Sequence, residues 1–581
     1  MTNEEITGEI KLADRKMRIH YEDIPPVFKK ILDGRGVHGK RAVDAYLYPH
    51  LSSLPAPFAM KGMQDAVEKI AHALSAHRHI VLWGDYDVDG TTGTALLATF
   101  FRCIGREVTW HIPDRVTEGY GLNIGHLRKI GETLKDFKFL LITIDCGISN
   151  AEEIQELQRW GAEAIVTDHH DLPENLPPCI ILNPNQSGCG FNGQSLAGVG
   201  VAFYLAAGLR MHLRDGGYFT DTVEPNLKDF LAYAALGTIA DMVPLLGTNR
   251  ILVRAGLEVL EETIFPGLQA LLVETGIAQG KIYSDDVGFQ LGPKINAAGR
   301  MASADLAMKL LISNDQDDSV KLAKKLHKIN HERKDCCNEN LEHALTLTDR
   351  RKVVTDQCCI VLGPFHQGVL GIIASRLMEI FQVPVIVLTE TAASNSMKST
   401  LRGSCRSLEH YNMMKILYEC EDILLTYGGH PYAAGISLHQ DNFIVFQRRC
   451  RDAIKSFSVE KSTSTSGLPI DFSIQKALNE EHLKLFQLME PLGKGNERPV
   501  FKDHEAKVVE YRRVGHNGEH LQATFRSDSG GCKGIGFNLG DKADVLKEGR
   551  TCEVVYSVNP NRFNGRVRWQ IQILDLQRSL Q

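Results

Sequence analysis

The chain of 581 residues has room for about four domains at roughly 150 residues each. Its 43% hydrophobic and 23% charged content excludes a mainly disordered chain, a collagen and a small disulfide scaffold. Net charge is −6, but the stretch 461–581 carries 18 Lys+Arg against 15 Asp+Glu, a local balance of +3 that leaves −9 for the remainder. An acidic body suits metal ligands, and a mildly basic tail suits phosphate contacts. No run reaches the ~18 uninterrupted apolar residues of a membrane span. The polar, acidic opening MTNEEITGEIKLADRK is not that of a secretory signal. Thirteen cysteines, single or adjacent as in Cys336–Cys337 and Cys358–Cys359, form no CxxC pair and read as reduced thiols of a cytoplasmic protein.

In chain order, residues 1–50 end in a helical stretch, VHGKRAVDAYLYPHL. From about 60 to 300 apolar runs alternate with helical patterns. Strands are expected at 79–83 (HIVLW), 107–112, 139–144 (FLLITI), 162–166 and 179–182 (CIIL), with a helix at 91–101 after the first. Such alternation predicts a parallel sheet with helices on both faces. Residues 304–349 read as helical almost throughout, a long polar connector. A second α/β segment spans 352–456, with strands at 359–362 and 383–388 and a helix at 368–380. The stretch KSTSTSG (461–467) reads as a linker. Beyond it, short strands at 505–511, 520–525, 532–537, 552–558 and 566–573 predict a small β-barrel.

The chemistry concentrates where apolar runs end. GDYDVDG (84–90) places Asp85, Asp87 and Asp89 directly after the first strand, and open parallel sheets hold ligands at such ends. Three adjacent carboxylates repel and are relieved most simply by a hard divalent cation. The competing explanation is a polar turn with Asp as a helix cap. An EF-hand is excluded because no Glu occupies its last ligand position. Asp145 follows FLLITI, Asp168-His169-His170 follows AEAIVT, and Asp241 follows an apolar helical run. Carboxylates mixed with imidazoles suit Mn²⁺, or Mg²⁺ with added water, and a pair of such ions is a device for phosphoester hydrolysis.

These motifs resemble those of the DHH phosphoesterases. FHQGVLGIIASR (365–376) and GGH (428–430) resemble the accompanying DHHA1 domain. IPDRVTEGYGLN (112–123), LAGVGVAF (196–203), GPKINAAGRM (292–301), LRGSCRS (401–407) and GGHPYAAGI (428–436) narrow the resemblance to the bacterial RecJ family. PLGKGNERPVF (491–501) and NRFNGRVRWQIQILDL (561–576) resemble that family's OB-fold domain. The resemblance runs from about residue 35 onward. It implies an α/β fold with two α/β lobes, DHH and DHHA1, joined by a long helix, plus a C-terminal OB-fold β-barrel. The expected divisions are an N-terminal segment 1–58, a DHH catalytic domain 59–303, a helical connector 304–350, a DHHA1 domain 351–460 and an OB-fold nucleic-acid-binding domain 468–581.

By the same resemblance, Asp85, Asp87, Asp89, Asp145, His169 and Asp241 are the expected ligands of two Mn²⁺ or Mg²⁺ ions, with Asp145 bridging them. Asp145, His169 and His170 are the expected catalytic set, His170 contacting the scissile phosphate. Arg115, Arg300 and Arg406, with Ser404, resemble a pocket for the 5′ end, since guanidinium groups bind phosphate oxygens bidentately. His430 is expected to hold the strand. Tyr120 is a candidate for stacking on bases or for packing, and Arg512, Arg513, Arg562, Arg566 and Arg568 are candidate phosphate contacts on the barrel. Two departures stand out. A histidine of many DHH enzymes is replaced by Trp83, and Cys405 replaces a glycine in the expected 5′-end loop, where its side chain is expected to constrain the backbone.

The implied activity is 5′→3′ exonucleolytic hydrolysis of single-stranded DNA to 5′-mononucleotides, in recombination and repair. A single-strand-binding protein and a RecQ-type helicase are the implied partners, and no membrane is involved. The rival readings are a phosphodiesterase of short oligonucleotides or cyclic dinucleotides, and a non-catalytic DNA-binding scaffold of the same fold.

Overall fold

The computed structural model describes residues 18–115, 117–191, 193–277, 280–391, 399–456, 469–527, 530–563 and 566–579. The expected linker 461–467 lies outside these residues. The chain forms two compact units, one of residues 54–466 with 564–566, the other of the N-terminal residues to 53 with the remaining residues from 467 onward.

In the larger unit, β1 (Ile80–Trp83), β2 (Thr109–His111), β3 (Leu140–Ile144), β4 (Glu163–Thr167) and β5 (Ile180–Leu182) build a sheet in the order β2-β1-β3-β4-β5. Every pairing is parallel. Strands β1 and β3 are buried at every position, which is why their sequences are continuously apolar rather than alternating. One face packs under the helices Ile124–Leu134 and Ala151–Arg159 around Trp83, Leu127, Phe139, Leu141 and Leu157. The helices Val88–Cys103 and Gly198–Asp215 pack against the sheet and, with Leu231–Ala240, against one another. Trp83 is fully buried, and its indole Nε1 donates to the Gly121 carbonyl at 3.2 Å. The order reverses between β1 and β3, and ligands bind at the carboxyl ends flanking such a reversal.

The connector is broken once. A short helix, Asp305–Leu311, precedes the long helix Gln316–Leu347, whose N-cap Asp315 accepts from the Asp318 amide at 2.8 Å. The long helix packs on Pro266–Glu274 and Gly292–Met301 and also on Leu370–Phe381. The second sheet contains β6 (Cys359–Leu362), β7 (Val385–Thr391), β8 (Thr400–Arg406), β9 (Leu424–His430) and β10 (Ala433–His439), ordered β6-β7-β8-β10-β9. Only β6–β7 is parallel. Strands β8 to β10 were not expected from the sequence.

The smaller unit holds β11 (Ile470–Asp471), β12 (Phe501–Val514), β13 (His520–Ser527), β14 (Gly530–Gly536), β15 (Thr551–Phe563) and β16 (Arg566–Arg578). Their order β11-β12-β13-β14-β16-β15, with an added β12–β15 pairing, closes a five-stranded barrel, the expected OB-fold architecture. Residues 18–53 belong to this unit. Phe28 sets its ring 5.0 Å from that of Phe486, and Tyr46 donates to Asn496 Oδ1 at 2.6 Å. Among the described residues no helix is long and apolar enough to cross a membrane.

Candidate metal centre and anion pocket

The six expected ligands converge at the carboxyl ends of β1, β3 and β4 and the end of the helix Leu231–Ala240. Together with His170, their donor atoms fall into three overlapping groups, each with all atoms within 4.8 Å: Asp85, Asp87 and Asp145; Asp145, His169 and His170; and Asp89, His169 and Asp241. Asp145 belongs to two of these groups and so joins them. His169 Nε2 lies 3.1 Å from Asp145 Oδ1, 3.7 Å from Asp241 Oδ2 and 3.9 Å from Asp89 Oδ2.

Local structure explains the convergence. Asp87 does cap the following helix, accepting from the Gly90 amide at 3.1 Å, so capping and membership of the cluster coincide. Asp89, in that helix's first turn, accepts from the Gly198 amide at 2.6 Å and the Val199 amide at 2.8 Å. The LAGVGVAF motif is thus a helix N-terminus that holds a carboxylate by its free amides. A Cβ on Gly198 would stand 2.5 Å from the Asp145 Cβ, so only glycine lets this helix approach. Asp145 itself has φ +62°, a left-handed conformation that costs a non-glycine residue energy and is frequent at functional sites.

The electrostatics favour a cation. Burial first, and then the neighbouring carboxylates, raise Asp89 to about 7 and push Asp85 and Asp145 well above the ordinary range. Asp85 Oδ1, Asp145 Oδ1 and His169 Nε2 are buried without a formed hydrogen bond, a costly state for polar atoms. Burial, followed by the charge of His170, lowers His169 to about 4, leaving a neutral imidazole suited to ligation. Burial also opposes charge on His170, but its hydrogen bond to Asp168 and the surrounding carboxylates prevail and raise it to about 9. The donor set, hard oxygens with one or two imidazoles, fits Mn²⁺ or Mg²⁺.

Sequence reasoning gave Asp168 no role. It belongs to none of the three donor groups. Its Oδ1 accepts from the His169 and His170 amides at 2.7 and 3.1 Å and lies 2.7 Å from His170 Nδ1, while Oδ2 accepts from the Ile148 amide at 3.0 Å. It therefore orients His170. The triplet itself was the available signal, since an acid two residues before a histidine can bond it locally. Tyr120 is tethered by its hydroxyl, 3.3 Å from the Asp145 carbonyl and 3.2 Å from His170 Nδ1, with the residue 50% exposed. Glu118 was also missed. Its Oε1 accepts from the Asp114 amide at 3.0 Å, and its Oε2 lies 2.8 Å from His111 Nε2 and 3.1 Å from His126 Nδ1. This clasp fixes the loop that carries Arg115 and Tyr120. His430, at the end of β9, lays its ring 6.3 Å from that of His170 with only 9° between their planes.

Beside this centre is a basic pocket. Arg115 lies over the Tyr86 ring, 4.8 Å from its centroid, and Tyr86 sits between Asp85 and Asp87. Arg300 donates to the Gly368 carbonyl at 3.3 Å. Arg406 donates to Ser404 Oγ at 3.1 Å and to the Cys405 carbonyl at 2.8 Å. A Cβ on Gly371, in the first turn of Leu370–Phe381, would stand 2.8 Å from Arg406 Nη2, so a helix N-terminus faces this guanidinium. Burial first, and then Arg115, Arg333 and Arg406, lower Arg300 to about 9. Such an arrangement attracts an anion.

The expectation that Cys405 constrains a loop is corrected. The segment is strand β8, and the twofold alternation of a strand turns Leu401 and Cys405 into the core while Arg402, Ser404 and Arg406 face away from it. In the smaller unit Arg512 and Arg513 lie on β12, where they bond Gln522 and Asp544. Arg562 lies on β15, and Arg566 and Arg568 lie on β16.

Residues 79–238 match the DHH family N-terminal domain, residues 356–456 the DHHA1 domain and residues 470–575 the RecJ OB domain. The chain is 33% identical over 556 residues to the single-stranded-DNA-specific exonuclease RecJ of Bacillus subtilis (strain 168), a match covering 95% of this chain and 68% of that one. The crystal structure of RecJ in complex with Mn²⁺ from Thermus thermophilus is similar at TM-score 0.73 and 29% identity, covering 96% of this chain and 78% of that chain. The corresponding Mg²⁺ complex gives 0.68 and 27%, with 96% and 77% covered. With the DHH, DHHA1 and OB domains in that order along nearly its whole length, the chain belongs to the RecJ family of single-stranded-DNA-specific exonucleases.

Proposed function

We propose that this protein degrades single-stranded DNA from the 5′ end, releasing 5′-mononucleotides. The observation that carries this reading is the pairing, in one unit, of a carboxylate–imidazole cluster joined through Asp145 with a guanidinium pocket reached through Arg115 and Tyr86. Asp85, Asp87, Asp89, Asp145, His169 and Asp241 would hold two Mn²⁺ or Mg²⁺ ions, which supply activation of the attacking water and neutralisation of phosphate charge. His170, held protonated by Asp168, donates to a non-bridging phosphate oxygen where charge develops. Tyr120 and Asp168 fix its ring. Arg115, Arg300, Arg406 and Ser404 receive the terminal phosphate, so hydrolysis falls one step from the 5′ end. His430 steadies the strand beside His170. The cytoplasmic setting, the part in recombination and repair, and a single-strand-binding protein and RecQ-type helicase as partners rest on the family resemblance.

The test is digestion of a 3′-labelled single strand with Mn²⁺ or Mg²⁺, beside its duplex and the Asp145→Ala variant. Progressive shortening from the 5′ end, absent for duplex and variant, supports the reading. Hydrolysis confined to dinucleotides would move the assignment to an oligonucleotide phosphodiesterase. Binding without hydrolysis would make the protein a scaffold.

A further inference from the structure

The second lobe contains a thiol pair that hydrolysis does not use. Cys420 and Cys450 are both buried, in one hydrophobic core with Cys358 and Cys405. Their sulfurs are 3.8 Å apart and share a hydrogen bond across 30 residues of chain. Among the described residues no other cysteine is hydrogen-bonded to a cysteine. Closing the pair to a disulfide bond of ~2.0 Å takes a shift of roughly 1 Å by each sulfur. Cys420 occupies the turn between the helix Met413–Tyr418 and β9, and Cys450 belongs to the helix Phe443–Ser456. At the same corner Arg449 is ion-paired with Asp422, and Asn442 donates to the Ile423 carbonyl at 3.2 Å. Strand β9 pairs only with β10 and ends at His430, beside His170, so this corner anchors the near end of an edge strand whose far end faces the site. The hydrogen bond with Cys450, against burial and with help from the Arg449 charge, lowers the Cys420 thiol, and the thiolate is the reactive form. The same hydrogen bond and burial raise Cys450. Glu419, Glu421 and Asp422 around Cys420 are exposed, so opening of this turn alone brings its sulfur to solvent.

We propose that Cys420 and Cys450 form a modification site for peroxides, closing to a disulfide that fastens the start of β9 to the helix Phe443–Ser456. The Cys420 thiolate attacks one peroxide oxygen, which breaks the O–O bond and gives a sulfenic acid and hydroxide. That hydroxide takes up the proton released by Cys420. The Cys450 sulfur then attacks the Cys420 sulfur, and the displaced hydroxide leaves as water with the Cys450 proton. Two thiols are thus oxidised by two electrons while the peroxide is reduced to two waters. Both sulfurs lie on the core side of the second sheet with Cys405, opposite the face of β8 that carries Arg406, so closure leaves the hydrolytic groups in place. A cross-link between elements 30 residues apart restricts the unfolded chain, and the oxidised lobe gains stability.

The experiment treats the full chain, fully reduced beforehand, with hydrogen peroxide. Remaining thiols are blocked with N-ethylmaleimide, and cross-linked tryptic peptides are identified by mass spectrometry. The expected result is a Cys420–Cys450 peptide as the dominant disulfide. The melting temperature should rise by roughly 5 °C and return to its starting value with dithiothreitol. Cys450→Ala should abolish both the cross-link and the shift. A dominant disulfide through Cys358, Cys405 or any other cysteine would overturn the proposal. So would the absence of any cross-link, a melting shift that persists in Cys450→Ala, or an oxidised chain that melts no higher than the reduced one. The oxidised and reduced wild type are compared directly, so the test stands even where the variant fails to fold.

Discussion

In the acidic centre, the carboxylates and imidazoles sit at the end of a strand or a helix of a single α/β layer, whereas the guanidinium pocket gathers side chains from elements far apart in the chain. Asp85, Asp145 and His169 follow β1, β3 and β4 of the same sheet. Arg115 comes from a loop after β2, Arg300 from the helix Gly292–Met301, and Ser404 and Arg406 from the second sheet. The first arrangement is set once the sheet forms. The second depends on how two lobes pack, through contacts such as Arg300 on the Gly368 carbonyl. The first region gathers raised carboxyl groups around the left-handed Asp145, while among the described residues Arg115, Arg300 and Arg406 form no ion pair, and Arg115 offsets part of the charge repulsion at Asp85.

Breaking the acidic centre should produce the largest effect. Replacement of Asp145 by Asn removes the negative charge of the residue shared by two donor groups and leaves the backbone in its left-handed turn. A loss of ~10³-fold or more in kcat is expected, on the scale of deleting one principal stabiliser of transition-state charge. Titration calorimetry with Mn²⁺ should show the tighter binding event lost as well. A variant that binds Mn²⁺ as the wild type does would separate Asp145 from the cation site. Breaking the pocket should do less, and selectively. Arg406→Gln is expected to reduce kcat/KM for 5′-phosphorylated strands by ~10–100-fold, corresponding to a hydrogen bond to a charged group of roughly 1.5–3 kcal/mol, mainly through KM. A fall confined to kcat would place Arg406 in the chemistry instead.

The two regions should also differ in pH response. The proton on His170 is held to about 9, above an ordinary histidine near 6.5. Its stabilising contribution is therefore complete below about 6.5 and is lost as pH rises through 9. Asp89, raised to about 7, adds a loss in the same direction from ordinary carboxylate values up to 7. In chelator, the melting temperature should fall by roughly 2–4 °C between pH 6.5 and 8.5, and Mn²⁺ should flatten the trend. His170→Gln should remove most of the slope. Arg300, lowered to about 9, titrates above that interval and with the opposite sign, stability rising with pH there because the unfolded chain keeps the proton longer. A slope unchanged by His170→Gln would locate the titration elsewhere.

How much of this was legible follows the same division. Continuous apolar runs announced β1 and β3, and the acids behind them needed only the rule that ligands gather at strand ends. The barrel strands alternate over long stretches and were equally readable, with ends two to five residues off in several cases. Strands β8, β9 and β10 were not readable. LRGSCR has a glycine at its centre, and LLTYGGH is an exposed edge ending in two glycines and a histidine, so neither presents an uninterrupted β-type run. The roles of Asp168 and Glu118 were hidden for another reason. Each acts through partners that a linear reading cannot place, a neighbouring imidazole and two histidines on different elements.

The smallest expected effect tests the pocket's independence from its own strand's core side. Cys405→Gly restores the residue that the resemblance leads one to expect there. Because β8 turns this side chain into the core beside Ile386 and Ile436, while Ser404 and Arg406 face the opposite way, the substitution should leave 5′-phosphate selectivity within about 2-fold. Its cost should appear in stability. Deleting a buried side chain and adding backbone freedom in a strand should lower unfolding free energy by about 1–2 kcal/mol, readable as a reduced denaturation midpoint with an unchanged m-value. Loss of end selectivity at undiminished stability would mean that Cys405 acts on the pocket face after all, and that the alternation of β8 does not insulate Arg406 from the core.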